Sequence, residues 1–232
     1  MPFFVYRTFF LATLPFDPAL LPVNGLGGEG ALDAARLEAG WLRARFASPV
    51  AAWQSEIVDD AQARHPRMTP ASVLIPLVLR PEGLSLLLTQ RTAHLTDHAG
   101  QISFPGGRAE LVDVDAIDTA LRETEEEIGL HRRHIEVIGT LPEYVTGTGY
   151  KVTPVVGLVA PPFEMTPDEN EVAEIFEVPL AFLMNGANHQ RLSFELPEGA
   201  GRRTFYAMPY ERFFIWGATA GMLRNLFHFL RA

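Results

Sequence analysis

The chain has 232 residues, 47% of them hydrophobic, a formal charge of −9 at pH 7 and no cysteine. Disulfides and thiolate chemistry are therefore excluded, and an acidic chain lacks the basic surface that nonspecific nucleic-acid binding requires. The length suits one domain with additions and an ample core, and the lack of cysteine suits a reducing cytoplasm, the expected location.

Residues 1–69 are the least informative part. The apolar run 9–16 is shorter than the roughly 20 residues a membrane span needs. With only Arg7 before it and no small-residue cleavage site, it does not read as a secretory signal either. Residues 22–30 read as a Gly-rich linker, because GLGGEG lacks the strand–turn–helix context of a nucleotide fingerprint. Residues 31–46 have helical spacing, with Leu32, Leu37, Trp41 and Leu42 apolar, and a second helix is expected over 49–64. This predicts a helical N-terminal extension over 1–69, packed on the main domain or on a partner subunit, and a main domain over 70–232.

From Ala71 the pattern turns to strands. VLIPLVL and LSLLLTQ are apolar runs separated by Arg80-Pro81-Glu82-Gly83, a turn signal, so they predict a hairpin. Further strands are expected over 134–140, 151–159 and 174–178, and a C-terminal helix over 218–230. Periodicity alone gives a mixed α/β fold.

Between these elements lies GQISFPGGRAELVDVDAIDTALRETEEEIGL, residues 100–130. A strand-like ISF feeds a Pro-Gly-Gly turn, an acidic linker follows, and a helix carries Arg122, Glu123, Glu126 and Glu127 before stopping at Gly129. At about 100° per residue, Glu126 and Glu127 fall near −60° and +40° of Glu123, so three carboxylates share one arc. Ile117, Leu121, Thr124 and Ile128 form a separate stripe that docks the helix on a core. Glu125 points away from the cluster and is expected to be solvated. Asp113, Asp115 and Asp118 suit the start of the helix dipole, and Asp118 stands four residues before Arg122, a favourable pair. Three like charges on adjacent turns repel unless a cation neutralises them, and an all-oxygen donor set points to Mg²⁺ or Mn²⁺. A bare RETEEE string is more often a solvated helix face; the preceding FPGG turns the reading toward a site.

Gly107, Arg122-Glu123, Glu126-Glu127, Gly129 and Leu130 resemble the Nudix box, G-x5-E-x7-R-E-U-x-E-E-x-G-U with U apolar. Two features depart from it: Asp113 replaces the first Glu, and Arg122 comes fifteen residues after Gly107 instead of fourteen. The longer spacing is similar to that of the coenzyme A pyrophosphatase branch, as is the upstream signature LLTQRTAHLTDHAGQISFPGG over 87–107. Weaker similarity extends over most of the chain from Pro70.

The resemblance implies a Nudix fold, a mixed sheet in an α/β/α sandwich. It also implies metal-dependent hydrolysis of the pyrophosphate bond of coenzyme A or a derivative, giving 3′,5′-ADP and 4′-phosphopantetheine or its acyl form. On that basis Glu123, Glu126, Glu127 and a Gly107 carbonyl would hold Mg²⁺ or Mn²⁺, with Arg122 orienting the glutamates. Family members take the general base from the box or from a later loop: Glu123 comes first here, with Glu171 and Glu174 as alternatives. Arg91, His98, Gln101 and Arg108, just before or at the catalytic turn, would meet the substrate's phosphates, and Tyr144–Tyr150 would form a loop facing adenine or pantetheine. A small-molecule substrate, no nucleic acid, no membrane and a homodimer complete the expectation. Two rivals stand beside it: the same chemistry on another nucleoside diphosphate such as ADP-ribose or NADH, and a non-catalytic binding module with the same fold.

Overall fold

The computed structural model describes residues 17–48, 53, 55, 68–95, 99–195 and 201–232. The turn signal at Arg80–Gly83 closes a hairpin of β2 (Thr69–Arg80) and β3 (Gly83–Arg91), with Arg80 opposite Gly83. β2 also runs parallel to β8 (Tyr150–Val159) over ten residue pairs, from Thr69 opposite Tyr150 to Val78 opposite Val159. The large mixed sheet is completed by β4 (Ile102–Ser103) and β9 (Val172–Pro179) on β3, β5 (Gly106–Arg108) on β2, and β6 (Ile135–Thr140) and β7 (Tyr144–Val145) on β8.

Strand alternation sends successive side chains to opposite faces of this sheet, and both faces are apolar. Leu74, Val78, Leu87, Val155 and Val159 face helix α2 (Ala116–Ile128), where Ala120 and Ile128 are buried against them. Ile75, Leu77, Leu86, Leu88, Val156 and Leu158 join a larger core with Met222, Leu223, Leu226 and Phe227 of the C-terminal helix α4 (Gly217–Arg231). Each such aliphatic side chain contributes roughly 1.5–3 kcal/mol when fully buried. The result is the expected α/β/α sandwich. Directly after β9 the chain also makes a single-turn helix, α3 (Leu180–Leu183).

The linker reading of residues 22–30 is corrected. Val23–Leu26 form strand β1, which pairs antiparallel with β10 (Gln190–Glu195) at the edge of a second sheet, β1-β10-β11-β12. Its other strands are β11 (Arg202–Tyr210) and β12 (Phe213–Trp216). A four-residue strand containing a glycine, with its partner more than 160 residues away, carries no local alternation to read. The N-terminal region is also less helical than expected: α1 covers Ala39–Ala47, preceded by a single 3₁₀ turn at Ala34–Leu37. Nearly all of the second expected helix, 49–64, lies outside the described residues.

The N-terminal region clasps the end of α4. Arg45 donates to the Phe229 carbonyl through Nε and Nη2 at 3.0 and 2.7 Å, and Arg36 Nη1 donates to the Leu230 and Arg231 carbonyls. Cations on the last turn satisfy carbonyls that have no partner within the helix. Among the described residues no helix is long and apolar enough to cross a membrane.

Candidate active site

Helix α2 is held at both ends by its own sequence. At the start, the Asp115 side chain accepts from Asp118 N at 2.8 Å, while Asp118 Oδ2 accepts from Val114 N at 3.1 Å. At the end, Gly129 takes the left-handed conformation (φ 68°), and Thr166 N and Asp168 N donate to the Ile128 and Glu127 carbonyls. The loop that follows therefore starts from a fixed point and brings Glu171 towards the helix.

The Pro-Gly-Gly turn lies against the glutamate face. Gly106 has φ 151° and packs on β2, where a Cβ would stand 2.4 Å from the Ser72 carbonyl oxygen. At Gly107 a Cβ would stand 2.4 Å from Glu123 Cδ, so the missing side chain makes room for that carboxylate. Gly106 N–H donates to Glu127 Oε2 at 3.1 Å, tying the turn to the helix.

Two of the three glutamates face this turn. Glu127 is 6% exposed, and burial pushes its pKa up to about 7 despite the Gly106 N–H and the nearby Arg91 guanidinium. Glu123 is also shifted up, by burial first and then by the charges of Glu126 and Glu171, with Arg122 opposing. Glu126 is turned outward, its side chain 60% exposed, and accepts from Arg122 Nη1 at 2.9 Å. Among the described residues, then, no three acidic or histidine side chains form a ready-made metal cage. The donor set nonetheless fits a hard divalent cation. Glu123 and Glu127 are like-charged oxygen donors held beside one glycine turn at a desolvation cost that a bound cation would offset.

Arg122 is the hub that orients the box. It reaches Glu123 at 3.0 Å and Glu126 at 2.9 Å through Nη1, and grips Asp113 with Nε to Oδ1 at 2.7 Å and Nη2 to Oδ2 at 3.0 Å. That fork holds the Asp113 carboxyl well below the usual carboxylate range. Asp113 is thus more than a helix-start acid, a role missed in the sequence although its place six residues after Gly107 was a signal. The expected Asp118–Arg122 pair does not form: Asp118 pairs with Arg132 at 2.8 Å, because Asp113 has already taken Arg122. Glu125 is not left to solvent either, accepting from Arg132 N at 2.9 Å and Arg132 Nε at 2.8 Å.

A cavity of about 450 Å³ opens from the turn. Arg91, Gln101, Gly106, Gly107 and Arg108 line its near end. Arg91 Nη1 stands 3.8 Å from Glu127 Oε1, and its Nε is buried with no hydrogen-bond partner among the described residues. Arg108 donates to the Tyr150 hydroxyl through Nη2 at 2.6 Å, so the Tyr144–Tyr150 loop forms a side wall. His98 lies outside the described residues. The two loop acids differ. Glu171 is close enough for its charge to act on both Glu123 and Glu127, whereas Glu174 is paired with Arg212 from the β11–β12 turn.

A family model described as NUDIX domain matches residues 68–195. The protein called Uncharacterized Nudix hydrolase NudL from Escherichia coli (strain K12 / DH10B) is 46% identical over 156 residues, covering 67% of this chain and 80% of that protein. Its namesake from Shigella sonnei (strain Ss046) is 40% identical over 185 residues, covering 75% and 95%. A MutT/nudix family protein from Enterococcus faecalis, of solved structure, is 16% identical, with a TM-score of 0.44 over 81% of this chain and 66% of that one. By its sequence match and its relatives, the chain belongs to the Nudix hydrolases, a family of pyrophosphohydrolases that need divalent metal ions.

Proposed function

We propose that this hydrolase cleaves the pyrophosphate bond of coenzyme A or a derivative, with Mg²⁺ or Mn²⁺, to give 3′,5′-ADP and 4′-phosphopantetheine or its acyl form. The observation that carries the reading is a juxtaposition. Arg91 and Gln101 of the upstream signature line the same cavity as Gly106 and Gly107 of the box. A substrate diphosphate lying over the glycine turn would thus have guanidinium and amide donors on one side and carboxylates on the other.

A diphosphate resists attack because its oxygens repel a nucleophile, so its charge must be neutralised and a water deprotonated. A divalent ion held by Glu123 and Glu127, with the Gly107 carbonyl and a Glu126 side chain rotated inward from Arg122 completing the set, would supply charge neutralisation and a more acidic water. Arg122 fixes the carboxylate that does this. Arg91 places a positive charge beside Glu127 and toward the cavity, where a phosphate oxygen gains a charge-assisted hydrogen bond. Glu123 is the first choice of general base, Glu171 the second, and Glu174 is the least favoured because Arg212 already holds it. The proposal includes a cytoplasmic location, which cell fractionation tests, and a homodimer, which light scattering on the purified protein tests.

The direct test is mass spectrometry of products formed from coenzyme A in ¹⁸O-water, beside ADP-ribose and NADH. Label in one of the two expected products supports the reading and identifies the attacked phosphorus. Faster hydrolysis of ADP-ribose or NADH would replace coenzyme A as substrate, and no hydrolysis of any of them would point to a binding module. Glu127→Gln should keep the fold by circular dichroism and lose about 10²-fold or more in kcat. A loss below about tenfold would remove Glu127 from the machinery.

A further inference from the structure

The family match ends at residue 195, but the cavity continues beyond it. Its remote wall is built from the second sheet: Phe194 on β10, Arg203 and Phe205 on β11, and Trp216 at the end of β12. Phe205 packs edge-on against both Phe194 and Trp216, with ring centroids 6.2 and 5.5 Å apart. Set among these rings is one cation. Arg203 lies directly across the hairpin from Phe194, and its guanidinium reaches the Tyr144–Tyr150 loop. A Cβ on Gly147 would stand 3.0 Å from Nη2 and 3.5 Å from Nη1.

Two guanidinium groups therefore bracket that loop, Arg108 at Tyr150 and Arg203 at Gly147. Beside Gly147 the Thr146 and Thr148 hydroxyls, 3.0 Å apart, also line the cavity. A cation, neighbouring hydroxyls and a glycine backbone make a site for a compact anion, and flat rings beside it suit a base or another apolar group. The reacting diphosphate is assigned to the glycine turn with Arg91, so an anion at Gly147 and Arg203 would be a second group on the same substrate. In a chain of net charge −9, a cation placed in a substrate cavity away from the reacting bond has a recognition role to fill.

We propose that Arg203 is a specificity-determining residue that binds a second, non-reacting phosphate of the substrate. The substrate class is then a nucleoside diphosphate derivative phosphorylated on its ribose. This rests on the coenzyme A reading, because coenzyme A carries such a group at its 3′ position.

The test compares coenzyme A with dephospho-coenzyme A, which lacks only that phosphate, in the wild type, Arg203→Gln and Arg203→Lys. The wild type should favour coenzyme A in kcat/KM. Arg203→Gln should lose about ten- to hundred-fold more on coenzyme A than on dephospho-coenzyme A, mainly through KM, as removal of a charge-assisted hydrogen bond requires. Arg203→Lys should keep part of the preference. Calorimetric binding of adenosine 3′,5′-bisphosphate against AMP repeats the comparison without turnover, and should show the same loss. Equal losses on both substrates, an intact preference in Arg203→Gln, or no preference in the wild type would overturn the proposal. If neither coenzyme is cleaved, the coenzyme A reading fails, and the calorimetric comparison still decides for or against Arg203.

Discussion

Two adjacent glycines with different neighbours should fail in different ways when substituted. An alanine at 107 meets the movable end of the Glu123 side chain, whereas an alanine at 106 meets the backbone of Ser72 and Val73 at a φ that L residues avoid. Gly107→Ala should therefore cost less than about 1 kcal/mol of stability while lowering kcat tenfold or more, because the carboxylate must swing away. Gly106→Ala should cost about 2–4 kcal/mol. Denaturation midpoints and initial rates on the two variants check this, and a Gly107→Ala enzyme of normal rate would mean that the position of Glu123 does not matter. At this scale the sequence was most legible where chemistry and spacing coincide. Glu123, Glu127, Gly106 and Gly107 were readable because helix period and turn chemistry are local properties. The partners of Arg122, Asp118 and Glu125 were not, because salt-bridge choice depends on which cation arrives first in space. Arg132 takes both Asp118 and Glu125, a competition that a helical wheel of α2 cannot contain.

Helix α4 owes its end to another part of the chain. Its last carbonyls are met by Arg36 and Arg45 from the N-terminal region, with Arg45 also stacked 5.0 Å over the Phe229 ring. Replacing both with alanine should lower stability by about 1–3 kcal/mol, from the lost hydrogen bonds and dipole interaction. Chemical denaturation reads this directly, and an unchanged midpoint would show that the clasp is ornamental. The long apolar strands β2, β3 and β8, α2 and α4 were all visible from periodicity, because each is amphipathic or continuously apolar over its own length. The second sheet was not. β1 is four residues with a glycine, and β10 and β11 mix polar and aromatic positions whose logic is a cavity wall on one face and a core on the other.

Across the whole molecule, the N-terminal arm, α4 and the turn that leads into β10 meet at one buried cluster. Arg224, 4% exposed, forms a fork with Glu29 at 2.9 and 2.8 Å and donates through Nη1 to His189 Nδ1 at 3.1 Å. His189 is fully buried, and its Nε2 lies 2.7 Å from the Leu183 carbonyl, so the neutral ring donates there and accepts from Arg224. Burial first, then the Arg224 charge, lower its pKa to about 4. The unfolded chain, with an ordinary histidine near 6.5, takes up the proton first on acidification. This group's contribution is therefore fully present above about pH 6.5, falls as the pH drops toward 4, and amounts to about 3 kcal/mol. His189→Gln should flatten the stability profile between pH 6.5 and 4 relative to wild type, and parallel profiles would show that another group controls acid sensitivity. The cavity's construction carries a further consequence for biosynthesis. The ribosome delivers the glycine turn and the whole box before any of β11, β12 or α4 exists. For that interval the nascent chain holds its glutamate helix without the second-sheet wall of the cavity, and Ile75, Leu77 and Leu86 await the cover that α4 later supplies.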